Sequence, residues 1–201
     1  MKKFELTSEF ITNIFGTKLF RIKALIEFGN VKAGELGGFV EKEENLSQDG
    51  NAWVYDNARV HGNAWVYGNA CVCGDACVCG NARVCGDARV YDNAWVYGNA
   101  WVYGDACVYG DACVYGDARV CGDACVYGDA GYATVHGFGS EYRTTTFFKT
   151  KAGDIGVKCG CFYGNLSEFR KKVVETHGET KKAKEYLMLA DLMEFRFSDN
   201  S

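Results

Sequence analysis

No stretch of the 201-residue sequence is apolar for long enough to span a bilayer, which excludes a helical membrane protein. The opening MKKFELTSEFITNIF has two lysines but neither an unbroken apolar core nor a small-residue cleavage site. No secretory leader is therefore expected here, and a cytoplasmic location is. Residues 50–130 contain no lysine and carry four arginines against nine aspartates. That balance is the reverse of a duplex-binding groove, so direct nucleic-acid binding by this stretch is not expected. Paired CxxC spacing is missing, which removes the usual zinc-finger ligand sets. The outward positions have no regular threonine array, which argues against ice binding.

What is present is repetition. The chain has 25 glycines, no proline and 11 cysteines, and is 48% hydrophobic, too apolar for a disordered protein. Alanine recurs every six residues from Ala52 to Ala130 and valine from Val54 to Val126, without one insertion. Positions six apart on a helix are about 120° out of alignment, so a helix is excluded. In a strand, Ala and the Val two residues on face the same side. The phrase G-[ND]-A-x-V-[YC] thus reads as a short strand with a Gly-Asn or Gly-Asp corner. One copy cannot bury its apolar side, whereas stacked copies can.

The pattern resembles hexapeptide-repeat proteins. That resemblance implies a mainly β fold, a left-handed parallel β-helix of triangular section with three hexads per 18-residue coil. Here Tyr, Cys or His follows the aliphatic residue, where that family usually has a small or acidic one. The thirteen hexads then make about four coils, with an N-terminal β cap (1–49), the β-helix (50–135) and a small C-terminal ββαα domain (136–201). In that last domain a hairpin turns near Ala152, Gly153 and Asp154. Asn165 and Glu168 read as a capping box, and Leu166, Phe169, Val173 and His177 share one helical face. A second helix from Thr180 is expected to bury Ala183, Tyr186, Leu187 and Ala190.

Stacking by 18 turns the sequence into columns. One face reads Trp65, Arg83, Trp101, Arg119 before the valines and Tyr67, Cys85, Tyr103, Cys121 after them. All four tryptophans are expected to point outward. Trp, Tyr and Arg are enriched at binding hot spots, so Trp65, Arg83, Trp101, Arg119, Tyr67 and Tyr103 are the candidate partner-binding residues. Two corner columns become acidic, Asp87, Asp105 and Asp123 in one and Asp111 and Asp129 in the other, forming a candidate negative ridge. Nine of the cysteines fill slots that other copies give to Trp, Arg or Tyr, and they read as tolerated substitutions. The pairs Cys71/Cys73 and Cys77/Cys79 lie on different faces and do not converge, so no metal and no cofactor is expected.

The flanks sharpen the resemblance. GELGGFVEKEENLS, the hexads, and FFKTKAGDIGVKCGCFYGNLSEFRKKVVETHG together resemble a family of phage and prophage hexapeptide-repeat proteins of unassigned activity. That resemblance implies a mobile-element protein acting inside a bacterium. The expected function is non-catalytic binding of a host protein or nucleoprotein complex, as in an anti-CRISPR inhibitor of a defence nuclease. Two alternatives stand beside it. Many hexapeptide-repeat proteins are acyltransferases with a catalytic histidine, but His61, His136 and His177 each read as structural or surface residues. The other is a self-assembling structural protein, since a homo-oligomer would cover exposed edges and aromatic columns.

Overall fold

The computed structural model describes residues 2–128, 131–139, 141 and 143–198. The chain is mainly β and ends in two helices. Strands β1 (Phe4–Thr12) and β2 (Lys18–Ala24) form an antiparallel hairpin. Its turn is held by Asn13 Oδ1, which accepts from the backbone N–H groups of Phe15 and Thr17. Strand β3 (Leu36–Val40) runs antiparallel to β2 and, on its other side, parallel to the first hexad strand of one face, β5 (Arg59–Val60). The cap is thus continuous with the repeat.

Each hexad contributes one strand of two or three residues, from β4 (Trp53–Val54) to β16 (Cys125–Tyr127). They stack as three parallel sheets. One holds β4, β7 (Cys71–Val72), β10 (Arg89–Val90), β13 (Cys107–Tyr109) and β16. The second continues from β5 through β8 (Cys77–Val78), β11 (Trp95–Val96) and β14 (Cys113–Val114). The third holds β6 (Trp65–Val66), β9 (Arg83–Val84), β12 (Trp101–Val102) and β15 (Arg119–Val120). Partners are 18 residues apart, as in Val54↔Val72 and Val90↔Val108, so three six-residue steps close one turn. With the irregular coil of the cap, where Leu46 bridges to Val66, the β-solenoid has about five turns. Every ladder member from Ala52 to Ala124 and from Val54 to Val126 is at most 1% exposed. The interior is therefore the alternation that period two within each strand demands.

The corners are backbone-tight. Gly86 has φ +69°, and a Cβ there would lie 2.9 Å from the Gly104 nitrogen of the next turn. Asp56 and Asp92 occupy the same corner position at φ 52° and 59°. Their carboxylates accept from the Gly74 and Gly110 N–H groups one turn on, both at 3.1 Å, which offsets part of the strain.

A solenoid end leaves backbone groups with no next turn, and buried ones must be satisfied. At the N-terminal end the open groups are carbonyls, and the cap supplies donors. Buried Lys3 donates to the Gly50 and Ala52 carbonyls, and buried Asn45 to those of Gly62 and Ala64. At the C-terminal end the open groups include N–H donors, and hydroxyls accept from them. Tyr132 takes the Tyr115 N–H, Thr146 that of Arg119, and Tyr163 that of Asp123.

The C-terminal unit is larger than the two-stranded sheet expected. Strands β17 (Tyr132–Val135), β18 (Thr145–Lys149), β19 (Ile155–Cys159) and β20 (Phe162–Asn165) form one antiparallel sheet, so the unit starts before residue 136 and is ββββαα. The turn at residues 152–154 is as expected. Helix α1 (Leu166–His177) opens on the Asn165–Glu168 capping box, with bonds of 2.9 and 2.8 Å. It stops at Gly178, φ 59°, and α2 (Lys181–Phe197) follows from the Thr180 cap. Phe147, Val157, Phe169, Val173, Tyr186 and Ala190 make the core of this unit. Leu187 is only partly buried; Leu189 and Met193, one turn apart on α2, are buried instead.

Candidate functional site

The third sheet brings Trp65, Arg83, Trp101 and Arg119 into one outward column, each pair in register. The contacts within it are uneven. Trp101 lies between two guanidinium groups, Arg83 at 5.9 Å and Arg119 at 5.8 Å from its ring centre, inside the range for cation–π attraction. Trp65 instead stacks on Tyr67 of its own hexad, at 4.0 Å and 23°. Trp101 packs at 45° against Tyr103, and its Nε1–H donates to Cys85 Sγ at 3.3 Å. Trp65 is 40% exposed, Trp101 half-buried, and both arginines exposed.

Behind the indoles, Tyr and Cys alternate for a packing reason. Tyr67 lies beside Cys85 and Tyr103 beside Cys121 on the next turn. Each large ring leans over a small neighbour, leaving Cys85 and Cys121 buried. Burial first, and the neighbouring thiol second, push the Tyr67 hydroxyl up to about 12, and the same two causes raise Tyr103. Both phenols are therefore neutral hydrogen-bonding groups at neutral pH. The cysteines read as tolerated surface substitutions are here the spaces into which tyrosines fit.

The expectation that all four tryptophans face solvent fails at Trp53. It stands in an outward slot, yet Phe4 and Phe28 of the cap close over it edge-on at 6.1 and 5.3 Å, and it is fully buried. The cap needs one aromatic anchor on the first turn, and Trp53 supplies it.

The corner beside the Trp–Arg face begins as an amide ladder. Asn51 donates to Asn69 at 3.1 Å, and Asn69 to Asp87 at 3.0 Å. Asp105 and Asp123 continue it, all three carboxylates exposed. The ridge is not wholly free: Tyr163 donates to Asp123 Oδ1 at 2.8 Å, and Lys151 Nζ donates to the Asp105 carbonyl at 3.0 Å. An added Cβ at Gly122 would collide with the Tyr163 hydroxyl, so this glycine makes room for the docked ring. Asp111 accepts from Asn93 on the other acidic corner at 3.1 Å, and Asp129 lies outside the described residues. Where the Trp–Arg face meets the C-terminal unit, Asn99, Asp117, Arg119, Arg143 and Thr144 line a cleft of about 500 Å³.

Two histidines have local partners. His136 Nδ1 meets Thr144 Oγ1 at 3.1 Å, and His177 stacks on Tyr186. Sequence reasoning missed an apolar stripe on α2, where Met188, Leu192 and Phe195 are 71, 53 and 70% exposed. The signal was in the chain: α2 has more apolar residues than one buried face can use. It also missed Ile14 and Phe15, exposed at the tip of the β1–β2 hairpin.

Fold and face together define a β-solenoid repeat protein with an aromatic–arginine wall. Residues 52–68, 82–98 and 88–104 match the family model of the YdcK beta solenoid repeat. A 63-residue segment is 40% identical to the uncharacterized acetyltransferase YdcK of Escherichia coli (strain K12). The match covers 28% of this chain and 19% of that relative, so the likeness concerns the repeat. No helix of the described residues is long and apolar enough to cross a membrane.

Proposed function

We propose that the protein is a non-catalytic binding scaffold whose Trp–Arg face engages a host macromolecule in the bacterial cytoplasm. The observation that carries this reading is Trp101 held between Arg83 and Arg119, with Trp65 exposed on the same flat wall. The Trp101 Nε1–H bond to Cys85 and the stack of Trp65 on Tyr67 hold the two indoles, so little conformational freedom is lost on docking. The flanking Asp87–Asp105 corner supplies the opposite charge, which suits a protein or nucleoprotein surface carrying both signs. The resemblance to phage and prophage proteins supports a bacterial defence nuclease, CRISPR effectors included, as the first target to test. It also supports a left-handed winding. The test is a cleavage assay with purified RNA-guided effectors, using wild type and the W65A/W101A double variant. Inhibition by the wild type alone supports the reading; inhibition that survives the double substitution removes the Trp–Arg face from it.

A second reading, an acetyltransferase-like enzyme, is favoured by the name of the Escherichia coli relative. Against it, His136 and His177 are held by local partners, Thr144 and a ring stack on Tyr186. Calorimetric titration with acetyl-CoA separates the two, since the scaffold gives no binding heat. Self-association has its apolar area in the Met188–Leu192–Phe195 stripe.

A further inference from the structure

We propose that His61, Cys77 and Cys79, on the sheet that continues from the cap, form a three-ligand site for a thiophilic metal ion, zinc(II) first among them. The ligand atoms of the three residues all lie within 4.8 Å of one another. Tetrahedral zinc, with bonds of about 2.3 Å to sulfur and 2.0–2.1 Å to nitrogen, sets sulfur and nitrogen about 3.6 Å apart. Cys77 Sγ and His61 Nε2 are 3.6 Å apart. Ligands already at that spacing need little rearrangement to close on an ion.

The solenoid produces this spacing by itself. Cys79 stands one turn above His61, and Cys77 is two residues from Cys79 on the same outward side. Each backbone is fixed by a bond to the next turn: His61 N to Val78 O at 3.0 Å, Cys77 N to Ala94 O and Cys79 N to Val96 O, both at 2.9 Å. Two thiolates and one imidazole are a soft donor set that selects zinc or copper(I) over magnesium or calcium. Two thiolates also neutralise a divalent ion. Cys77 is buried while His61 and Cys79 are half-exposed, so the open fourth position faces solvent, where water or an incoming group completes the coordination.

The charges facing the trio are Arg59, beside Cys77 and His61, and Glu41, which accepts from the Gly62 N–H at 2.6 Å just below His61.

The chain carries its own control. Tyr55, Cys71 and Cys73 sit six residues earlier in the corresponding positions of the neighbouring sheet, with a phenol where the site has an imidazole. One residue type separates the two clusters. Tyrosine also fills the His61 and Cys79 slots in other copies, so H61Y and C79Y swap in a side chain that the fold already accommodates.

The test is a cobalt(II) titration of the full-length protein in reducing buffer, with zinc(II) as competitor. The wild type is expected to bind one cobalt per chain, to show a thiolate-to-metal charge-transfer band, and to lose the band to zinc. Losing even an outer-shell partner of a metal ligand costs up to about 100-fold in affinity, so H61Y and C79Y should each weaken binding by at least that, with far-UV circular dichroism unchanged. C73Y should bind as the wild type does. No cobalt band in the wild type, equal binding by H61Y and C79Y, or equal loss in C73Y would each overturn the assignment.

Discussion

Replacing Trp101 with alanine is a sharper test of the Trp–Arg column than replacing Trp65. Trp101 makes two arginine contacts, worth about 0.5–1 kcal/mol each at exposed sites, and packs on Tyr103. An aromatic pair adds about 0.5–1.5 kcal/mol. Because the ring is half-buried and the arginines exposed, the sum belongs near the lower end, about 2 kcal/mol. Trp65 has its stack on Tyr67 and is 40% exposed, so W65A should cost about 1 kcal/mol. Urea denaturation of the two variants should thus place W101A below W65A in midpoint by about 1 kcal/mol of stability at unchanged slope. A double-mutant cycle of R83A with W101A should return a coupling of about 0.5–1 kcal/mol. A W65A variant at least as destabilised as W101A, or zero coupling in the cycle, would refute the claim that the arginines hold Trp101.

Other expectations follow from single contacts. G86A should lose about 1–2 kcal/mol to left-handed strain and close approach to Gly104; G86D should lose less, because its carboxylate can take the next N–H as Asp56 and Asp92 do, and denaturation ranks the pair. Burial pulls the Lys3 ammonium down to about 8. Between about pH 8 and the unfolded lysine value of about 10.4 the unfolded chain binds more protons, so stability rises with pH there, and the rise should be absent in K3M. Tyr163 docks the C-terminal unit on Asp123, so Y163F should raise hydrogen exchange in β20 and the last turn while leaving earlier turns unchanged. M188E/F195E should leave the fold intact and reduce any self-association measured by light scattering.

The interior was legible because it is a matter of local geometry. Ala and Val two apart must share a side in a strand, and glycine before Asn or Asp must turn, whatever lies elsewhere. The Asn165–Glu168 cap and the turn at residues 152–154 were readable for the same reason, since all their partners lie within four residues. The columns needed more. Six-residue periodicity does not state how many strands close a turn, and that number entered through resemblance before the 18-residue register of the parallel sheets displayed it.

What the sequence alone determined, then, is which residues face inward and where the chain bends. Tertiary structure decided what the outward residues touch. Trp53 is buried because residues 4 and 28 fold back over it, and Trp101 rather than Trp65 holds the arginines because Arg83 and Arg119 lean towards each other along the column, both onto its ring. His61 meets Cys77 and Cys79 because neighbouring turns place residues 16 and 18 positions apart side by side. Inward facing follows from a two-residue alternation, whereas outward partnership depends on how the whole coil closes and what its ends cover.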